Sequence, residues 1–289
     1  MRILILGGDG MLGHQLLKQL RPRHDVRVTL RQELPAYERF GLFSQENAYG
    51  CLDLHSLDRL EDVFSSFKPQ AVINGTGIVK QRDMAKQSIP TLEINALLPH
   101  RLAMLCKTAG CRLIQLSSDC VFSGRKGRYL ETDASDAEDL YGRSKFLGEL
   151  GGMGEEHCLT LRTSSIGPEL SHKTGLFEWF RAQSGTIRGF TKAIYSGLTT
   201  IEMGRVVERM LVSHPAASGL YHVSSEPIDK FSLLVLLRRK SGKKIEIVPD
   251  ASFVCDRSLD SLRFRKEFNY IPPTWDAMAD ELCVDMRQA

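Results

Sequence analysis

The chain has 289 residues, a formal net charge of +3 at pH 7, 42% hydrophobic residues and 25% charged residues. These values are typical of a globular protein with one large domain, or one domain with an appended lobe, and they exclude the strongly basic surface of a nucleic-acid-binding protein. Seven scattered cysteines without a CxxC pair, and histidines without a tight cluster, predict reduced thiols and no bound metal.

The longest apolar runs are too short to cross a bilayer. The N-terminal residues MRILILGGDG do not resemble a signal peptide. The sequence therefore predicts a cytoplasmic protein without a nucleic-acid partner and without a membrane partner.

Short apolar runs alternate with helical patterns through the first 165 residues, which predicts an α/β fold with a doubly wound parallel (Rossmann) sheet. The strand candidates are RILIL (2–6), DVRVTL (25–30), AVING (71–75), RLIQLSS (112–118) and CLTLRT (158–163). After residue 165 the pattern loosens into Gly- and Thr-rich loops around short helices. We expect a dinucleotide-binding domain over 1–165 and a smaller substrate-binding lobe over 166–289. The boundary is soft, the two parts are interleaved, and the lobe returns strands to the main sheet.

The first predicted strand continues directly into GGDGMLG, where Gly7, Gly10 and Gly13 have GxxGxxG spacing before a helix that is predicted to begin at His14. Glycines permit a tight turn and let a pyrophosphate approach the backbone, while the helix N-terminus supplies amide donors. This turn predicts dinucleotide binding. The alternative is a glycine-rich turn without a ligand.

Further candidates follow the next strands. Arg31 stands after the second strand, where a NAD-binding fold usually carries an acidic residue. Its guanidinium suits a 2′-phosphate and favours NADP(H), while NAD(H) stays possible. The nearby Glu33 argues against this preference, and an ordinary surface arginine is the alternative. Asp53 and Leu54 lie at the predicted end of the next short strand, where they can contact the adenine. In INGTG (73–77) small residues let the backbone pass close to a cofactor. Ordinary loop chemistry is the alternative explanation for both of these segments.

The stretch DLYGRSKFLGE places Tyr141 and Lys145 four positions apart, on one face of a helix. A lysine ammonium lowers the cost of ionising a neighbouring phenol, whose pKa is otherwise near ~10. Ser118, in LSSDCVFSG, ends the fifth predicted strand, at the sheet edge where ligands bind in open α/β folds. Together these residues predict proton transfer to a carbonyl oxygen as hydride reaches its carbon; alone, Tyr141 and Lys145 are compatible with a solvated helix face.

The GxxGxxG turn, LSSDCVF and YGRSK together resemble the extended short-chain dehydrogenase/reductases, and within them the dTDP-4-dehydrorhamnose reductases, over nearly the whole chain. The resemblance implies NAD(P)H-dependent reduction of a 4-keto-6-deoxy nucleotide sugar, with Ser118, Tyr141 and Lys145 as catalytic residues. The cofactor contacts that it implies are Gly10, Met11, Leu12, Asp53, Leu54, Gly75, Thr76 and Gly77, together with Tyr141 and Lys145. Asp119 matches a substrate-side aspartate.

Two positions depart from the family pattern. After its RTS motif the family has a tryptophan that lies against the sugar of the substrate, and Ser165 stands at that position here. The identity of the sugar and of the nucleotide base therefore stays open. Gln15 stands where the family carries a glutamate that binds a metal between subunits, so a metal-bridged dimer is disfavoured while another homodimer stays open.

Two related activities and one non-catalytic function are alternatives to this reductase. Sugar-nucleotide dehydratases carry Asp-Glu where this chain has Asp119-Cys120, which disfavours elimination. Cys120 also matches a cysteine of GDP-fucose synthase, an epimerase-reductase that pairs it with a loop histidine comparable to His172; a buried thiol and a surface histidine are the alternative. The regulatory subunit of methionine adenosyltransferase shares the resemblance, so a non-catalytic NADP-binding protein is a further alternative.

Overall fold

The structure, a computed structural model, describes residues 1–79, 87–151, 155–171 and 173–288. The strands are β1 Arg2–Leu6, β2 Asp25–Thr29, β3 Ala48–Tyr49, β4 Ala71–Asn74, β5 Arg112–Ser118, β6 Cys158–Thr163, β7 Ser165–Ile166, β8 Thr186–Tyr195, β9 Leu198–Thr199, β10 Gly219–His222, β11 Ile228–Asp229 and β12 Glu246–Asp256. The helices are α1 Met11–Leu20, α2 Asp58–Phe67, α3 Ser88–Leu92, α4 Leu98–Ala109, α5 Leu140–Leu147, α6 Leu176–Ala182, α7 Thr200–Val212, α8 Lys230–Ser241, α9 Leu262–Glu267 and α10 Trp275–Gln288. A 3₁₀ segment covers Leu34–Phe40, a π-helical segment covers Glu93–Leu97, and a short 3₁₀ turn covers Asp119–Val121.

The central sheet has the strand order β10-β6-β5-β4-β1-β2-β3. Strand β1 pairs in parallel with β2 on one side and with β4 on the other, so Ile3 lies beside both Val26 and Ala71. Side chains of β1 and β4 are buried on both faces because helices cover both faces, which is why these strands are continuous apolar runs. The predicted doubly wound parallel sheet is confirmed, and β10 is a late strand that returns to it.

The helices around the sheet follow from their apolar spacing. On α2 the buried residues are Leu60, Val63, Phe64 and Phe67, which share one face at i, i+3, i+4 and i+7. The C-cap residue of α2, Lys68, adopts the left-handed conformation at φ 50° and ends the helix. None of the helices in the described ranges combines the length and the apolar composition needed to cross a membrane.

The chain divides into two compact units, each assembled from separate segments. Unit 1 consists of Met1–Ser117, Glu138–Leu161 and Gly204–Leu220, and unit 2 of Ser118–Ala137, Arg162–Met203 and Tyr221–Ala289. Compared with the predicted boundary at residue 165, the segment Gly204–Leu220 returns to unit 1, and the segment after β5 already belongs to unit 2.

Each unit has its own apolar contacts. In unit 1 a cluster of buried residues joins β1, β4 and β5 to α2 and α4, and it includes Leu4, Phe64 and Leu102. In unit 2 the ring of Phe122 stacks on that of Tyr129, with centroids 4.1 Å apart. Two small sheets also lie in unit 2, one with the order β11-β8-β12 and one that pairs β7 with β9.

Candidate active site

Unit 1 contains a cavity of about 350 Å³ at the carboxyl ends of β1, β2 and β4. Ligands of open α/β sheets bind at this edge. The predicted cofactor residues that line the cavity are Gly7, Gly10, Arg31, Asp53, Leu54, Gly75, Thr76 and Gly77. Within the described part of the chain, Met11, Leu12, Gly13, Tyr141 and Lys145 are not lining residues. That any of these residues contacts a cofactor stays a prediction.

The glycine-rich turn has a backbone geometry that larger residues cannot adopt. Gly7 has φ +81°, which is in the left-handed region, and a Cβ atom on Gly13 would lie 2.0 Å from the carbonyl oxygen of Gly7. The turn is closed by a hydrogen bond from the Gly10 amide to the Gly7 carbonyl, 3.0 Å. Helix α1 therefore begins against the end of β1, with its first amide groups without partners inside the helix.

Met11, Leu12 and Gly13 are the first three residues of α1, and Gly10 is its N-cap. The sequence placed the helix start at His14, so the structure extends the helix by one turn toward the glycines. The amide groups of Met11 and Leu12 therefore lie at the helix N-terminus, which is the end of a helix that favours an anion.

The segment after β3 differs from its prediction. The strand that should have ended at Asp53 ends at Tyr49, because only Ala48 and Tyr49 pair with β2. Asp53 follows in a loop, where its carboxylate accepts a hydrogen bond from the His55 amide, 3.0 Å. Asp53 and Leu54 still line the cavity, so the wrong strand end does not displace them from the candidate site.

Helix α5 carries Tyr141 and Lys145 on one face, one turn apart. The N-cap residue Asp139 accepts a hydrogen bond from the Gly142 amide at 2.8 Å, which fixes the helix start at Leu140, one residue before Tyr141. The phenol side chain is on a half-buried residue, whereas Lys145 is only 5% exposed. The helix thus presents one accessible phenol and one buried amine.

Lys145 is a buried cation with a defined partner. Its Nζ donates a hydrogen bond to the carbonyl oxygen of Leu116 on β5, 2.8 Å away. Burial lowers the pKa of Lys145 to about 8, while the charge of Glu149 acts in the opposite direction. Glu149 is held nearby by the Ser117 hydroxyl, which donates to its carboxylate at 2.6 Å. A buried lysine with a lowered pKa, one helical turn from a tyrosine, is a candidate functional residue.

Asn95, which sequence reasoning missed, links the cavity to α5. Its side-chain oxygen accepts from the Ile78 amide at 2.9 Å, and its nitrogen donates to the Ile78 carbonyl and to the Ser144 hydroxyl at 3.1 Å. The Ser144 hydroxyl donates in turn to the carbonyl oxygen of Tyr141, 2.8 Å. Because Ile78 lines the cavity, the side chain of Asn95 positions this part of the cavity lining and helix α5 together. The signal in the sequence was Asn95 itself, a polar residue at the start of the helical pattern NALLPHRLAMLCKTAG.

Ser118 ends β5 and is the first residue of unit 2. Its buried hydroxyl accepts a hydrogen bond from the Cys120 amide at 3.1 Å and donates to the Asp119 carboxylate at 3.2 Å. Burial raises the pKa of Asp119, and the charge of Arg257 is the largest opposing influence. The convergence of Ser118 with Tyr141 at one substrate stays a prediction, as do the substrate contacts of Ser118 and Asp119.

Cys120 does not have the environment of a reactive thiolate. Burial raises its pKa to about 12, and the adjacent charge of Asp119 adds to this effect. Arg257 lies beside the sulfur, with Nη1 3.6 Å from Sγ, and opposes the rise without reversing it. The thiol is therefore protonated at neutral pH. Its predicted partner His172 lies outside the described residues.

Ser165, the third predicted substrate-side residue, lies on β7 in unit 2, where it pairs with Leu198 of β9. Its contact with a substrate stays a prediction. No group of three or more His, Cys, Asp or Glu side chains that could hold a metal occurs in the part of the chain that the structure describes.

Residues 1–172 match the protein family described as RmlD substrate binding domain. The chain is 25% identical to dTDP-4-dehydrorhamnose reductase of Aggregatibacter actinomycetemcomitans, with 95% of each chain covered. It is 26% identical to methionine adenosyltransferase 2 subunit beta of Mus musculus, over 51% of this chain and 41% of that protein. The predicted resemblance to the extended short-chain dehydrogenase/reductases is confirmed.

Solved structures share the fold. A dTDP-4-dehydrorhamnose reductase from Bacillus anthracis in complex with NADP has a TM-score of 0.78 and 19% identity, covering 98% of this chain and 99% of its own. The UDP-glucose 4-epimerase of Thermus thermophilus in complex with NAD has a TM-score of 0.78 and 18% identity, covering 100% of both chains. At these identities the likeness establishes the architecture, and the chemistry has to be argued from the residues.

Proposed function

The chain belongs to the family of the RmlD substrate binding domain, and from this premise we propose that it reduces a nucleotide-linked 4-keto-6-deoxy sugar at C4. NADPH is the favoured reductant, and NADH is the second. The reaction would supply a deoxysugar for the synthesis of a polysaccharide. The observation that carries the proposal is Lys145, a buried amine held on the Leu116 carbonyl one helical turn from Tyr141.

The cavity of unit 1 fits a dinucleotide. Its glycine-rich turn leaves no room for a Cβ at Gly13 and has φ +81° at Gly7. A backbone that lets a pyrophosphate approach closely has these features. Arg31 supplies a cation at the end of β2, where the adenosine ribose binds in such folds. The amide groups that begin α1 would hold the pyrophosphate. When bound, NAD(P)H supplies the hydride that reduces the ketone carbon.

The proton that completes the reduction comes from the protein in this proposal. The Tyr141 phenol donates it to the former carbonyl oxygen, and the ammonium group of Lys145 stabilises the phenolate that remains. The Ser118 hydroxyl hydrogen-bonds to the same oxygen and orients the carbonyl. Solvent then returns a proton to Tyr141. Asp119 and Ser165 are the proposed contacts to the sugar.

Removing the guanidinium at the end of β2 tests the preference for NADPH. We expect Arg31→Ala to raise the Kd of NADPH about tenfold, which corresponds to a loss of about 1.5 kcal/mol for a charge-assisted contact to phosphate. The Kd of NADH should change less than threefold, which corresponds to about 0.6 kcal/mol of binding free energy. The reason is that NADH lacks that phosphate. Titration calorimetry of both cofactors measures the difference. Equal losses for the two would refute the phosphate contact.

The epimerase-reductase alternative needs a base that removes a carbon-bound proton. The raised pKa of Cys120, about 12, argues against a thiolate in that role. We therefore expect no enzyme-dependent deuterium at C3 or C5 when the protein and a keto-sugar are incubated in deuterated water, after exchange without protein is subtracted. Mass spectrometry of the recovered sugar measures it. Incorporation that disappears in Cys120→Ser would establish the epimerase instead.

The non-catalytic alternative predicts cofactor binding without turnover. The presence of Ser118, Tyr141 and Lys145 together supports an enzyme. A panel of keto-deoxy nucleotide sugars with different bases, assayed for NADPH oxidation, tests the proposal. Oxidation with one of them supports the reductase. Tight NADPH binding without oxidation across the panel would favour the regulatory protein.

We also propose that the protein acts in the cytoplasm and forms a homodimer. Each of the seven cysteines has a free thiol, which supports a reducing compartment. The dimer rests on the family resemblance alone, and light scattering of the purified protein measures it directly.

A further inference from the structure

The cofactor cavity contains a carboxylate that the glycine pattern does not require. Asp9, which directly precedes Gly10 in GGDG, lines the cavity together with Arg31. Both residues belong to unit 1, and the lining of the cavity therefore carries an anion and a cation. The inference that follows rests on the proposed function insofar as the ligand is a nicotinamide dinucleotide.

Tyr37 connects these two charges. Its hydroxyl donates a hydrogen bond to the Asp9 carboxylate at 3.0 Å and accepts one from the Gln32 amide at 3.3 Å. Gln32 is the residue after Arg31, so Tyr37 joins the end of β2 to the glycine-rich turn. The phenol is 5% exposed and packs edge-on against Phe43, with ring centroids 5.5 Å apart. The Asp9 carboxylate thus has a buried hydrogen-bond donor that orients it.

The charges of Asp9 and Arg31 act in opposite directions on the pKa of Tyr37. Burial raises the pKa of Tyr37, the negative charge of Asp9 raises it further, and the positive charge of Arg31 lowers it. This agrees with the hydrogen bonds of the Tyr37 hydroxyl to Asp9 and to Gln32, the residue that follows Arg31. Asp9 and Arg31 thus act on the same end of the cavity, the end at which the adenosine ribose binds in this fold.

A carboxylate at this end has opposite effects on the two cofactors. It accepts hydrogen bonds from the hydroxyl groups of the ribose in NAD(H), and it repels the 2′-phosphate of NADP(H). We propose that Asp9, oriented by Tyr37, is a specificity-determining residue that offsets the preference of Arg31 for NADPH and makes NADH an effective second cofactor.

Charge-removing variants of Asp9 test this directly by binding. Titration calorimetry measures the Kd values of NADPH and NADH for the wild type, for Asp9→Asn and for Asp9→Ser. We expect both variants to shift the ratio of the two Kd values about tenfold toward NADPH, from the loss of one like charge in a partly exposed site. NADPH should bind more tightly than to the wild type, and NADH more weakly.

Two further variants separate charge from position. Tyr37→Phe keeps the ring and the carboxylate but removes the hydrogen bond that orients Asp9, so the ratio should move in the same direction by a smaller factor. Glu38 is an exposed neighbour of Tyr37 and does not line the cavity. Glu38→Gln therefore removes one negative charge at the surface. It should leave the ratio of the two Kd values within about twofold of the wild-type ratio, because an exposed charge has a small effect. Melting curves of each variant verify the fold.

The outcomes distinguish this inference from the proposed function. If the wild type binds both cofactors and the Asp9 variants keep its ratio within about twofold, or bind both cofactors equally more tightly, the role of Asp9 is refuted while the reductase stands. A shift of the ratio in Glu38→Gln as large as that in Asp9→Asn would also refute the role of Asp9. If the wild type binds neither cofactor, the proposed function is refuted as well.

Discussion

Tyr141→Phe is expected to lower the turnover number by on the order of 10²–10⁴, the usual contribution of a positioned general acid. The substitution removes one oxygen atom from a half-buried side chain and leaves the ring in place. The backbone of α5 should not move, because it is fixed by the Asp139 cap and by the hydrogen bond from Ser144 to the Tyr141 carbonyl. The Kd of NADPH should therefore change less than about threefold.

Steady-state kinetics and titration calorimetry of the same preparation measure both effects of Tyr141→Phe. Phe146→Leu is a matched control on the exposed side of α5, since Phe146 is 42% exposed and does not share the face of Tyr141 and Lys145. The control should retain turnover. Wild-type turnover in Tyr141→Phe would show that another group donates the proton.

Lys145→Met should separate activity from stability. Turnover is expected to fall by about 10² or more, because the phenolate of Tyr141 loses the ammonium that stabilises it. At pH 7 the variant should nevertheless be more stable than the wild type, by on the order of 1–3 kcal/mol, because methionine fills the same space without burying a charge. The lost hydrogen bond to the Leu116 carbonyl offsets part of this gain.

The pH dependence of unfolding provides an independent test of the Lys145 environment. The pKa of Lys145 is about 8 in the folded protein against 10.5 for an unperturbed lysine, so the unfolded state binds the proton more tightly. In the wild type, this group therefore makes stability rise between about pH 8 and pH 10.5. Lys145→Met lacks that contribution, so its advantage should shrink across the same interval and vanish above it.

Urea unfolding of the wild type and of Lys145→Met at several pH values measures this difference. Lys107→Met, on the exposed end of α4, is the control and should show no such interval. A stability difference between wild type and Lys145→Met that is independent of pH would contradict the buried charge. A variant that keeps turnover would contradict its catalytic role.

Local patterns predicted the parts of the site that lie close together in sequence. The strand–glycine–helix order around Gly7 and Gly13, and the spacing of Tyr141 and Lys145, each depend on a few consecutive residues. The structure reproduces both because backbone geometry and helical periodicity decide them. The position of Ser118 at a strand end follows in the same way from the apolar run that precedes it.

Contacts between distant residues could not be predicted in this way. Asn95 joins Ile78 to Ser144 across separations of 17 and 49 residues, and only the folded chain brings them together. Tyr37 meets Asp9 across 28 residues, through a 3₁₀ segment that has no clear periodicity. The predicted strand end at Asp53 was wrong because β3 pairs with β2 only through Ala48 and Tyr49, and this pairing decides where β3 stops.

The most direct test of the proposed activity follows a labelled hydride. NADPH that carries deuterium at the transferable position of the nicotinamide is incubated with the protein and the nucleotide-linked 4-keto-6-deoxy sugar that gave turnover in the panel. We predict a product with one deuterium at C4 of the sugar and none at C3 or C5, detected by NMR. A deuterium-free product, a label at another carbon, or no product from any keto-sugar while NADPH binds tightly would contradict the reductase.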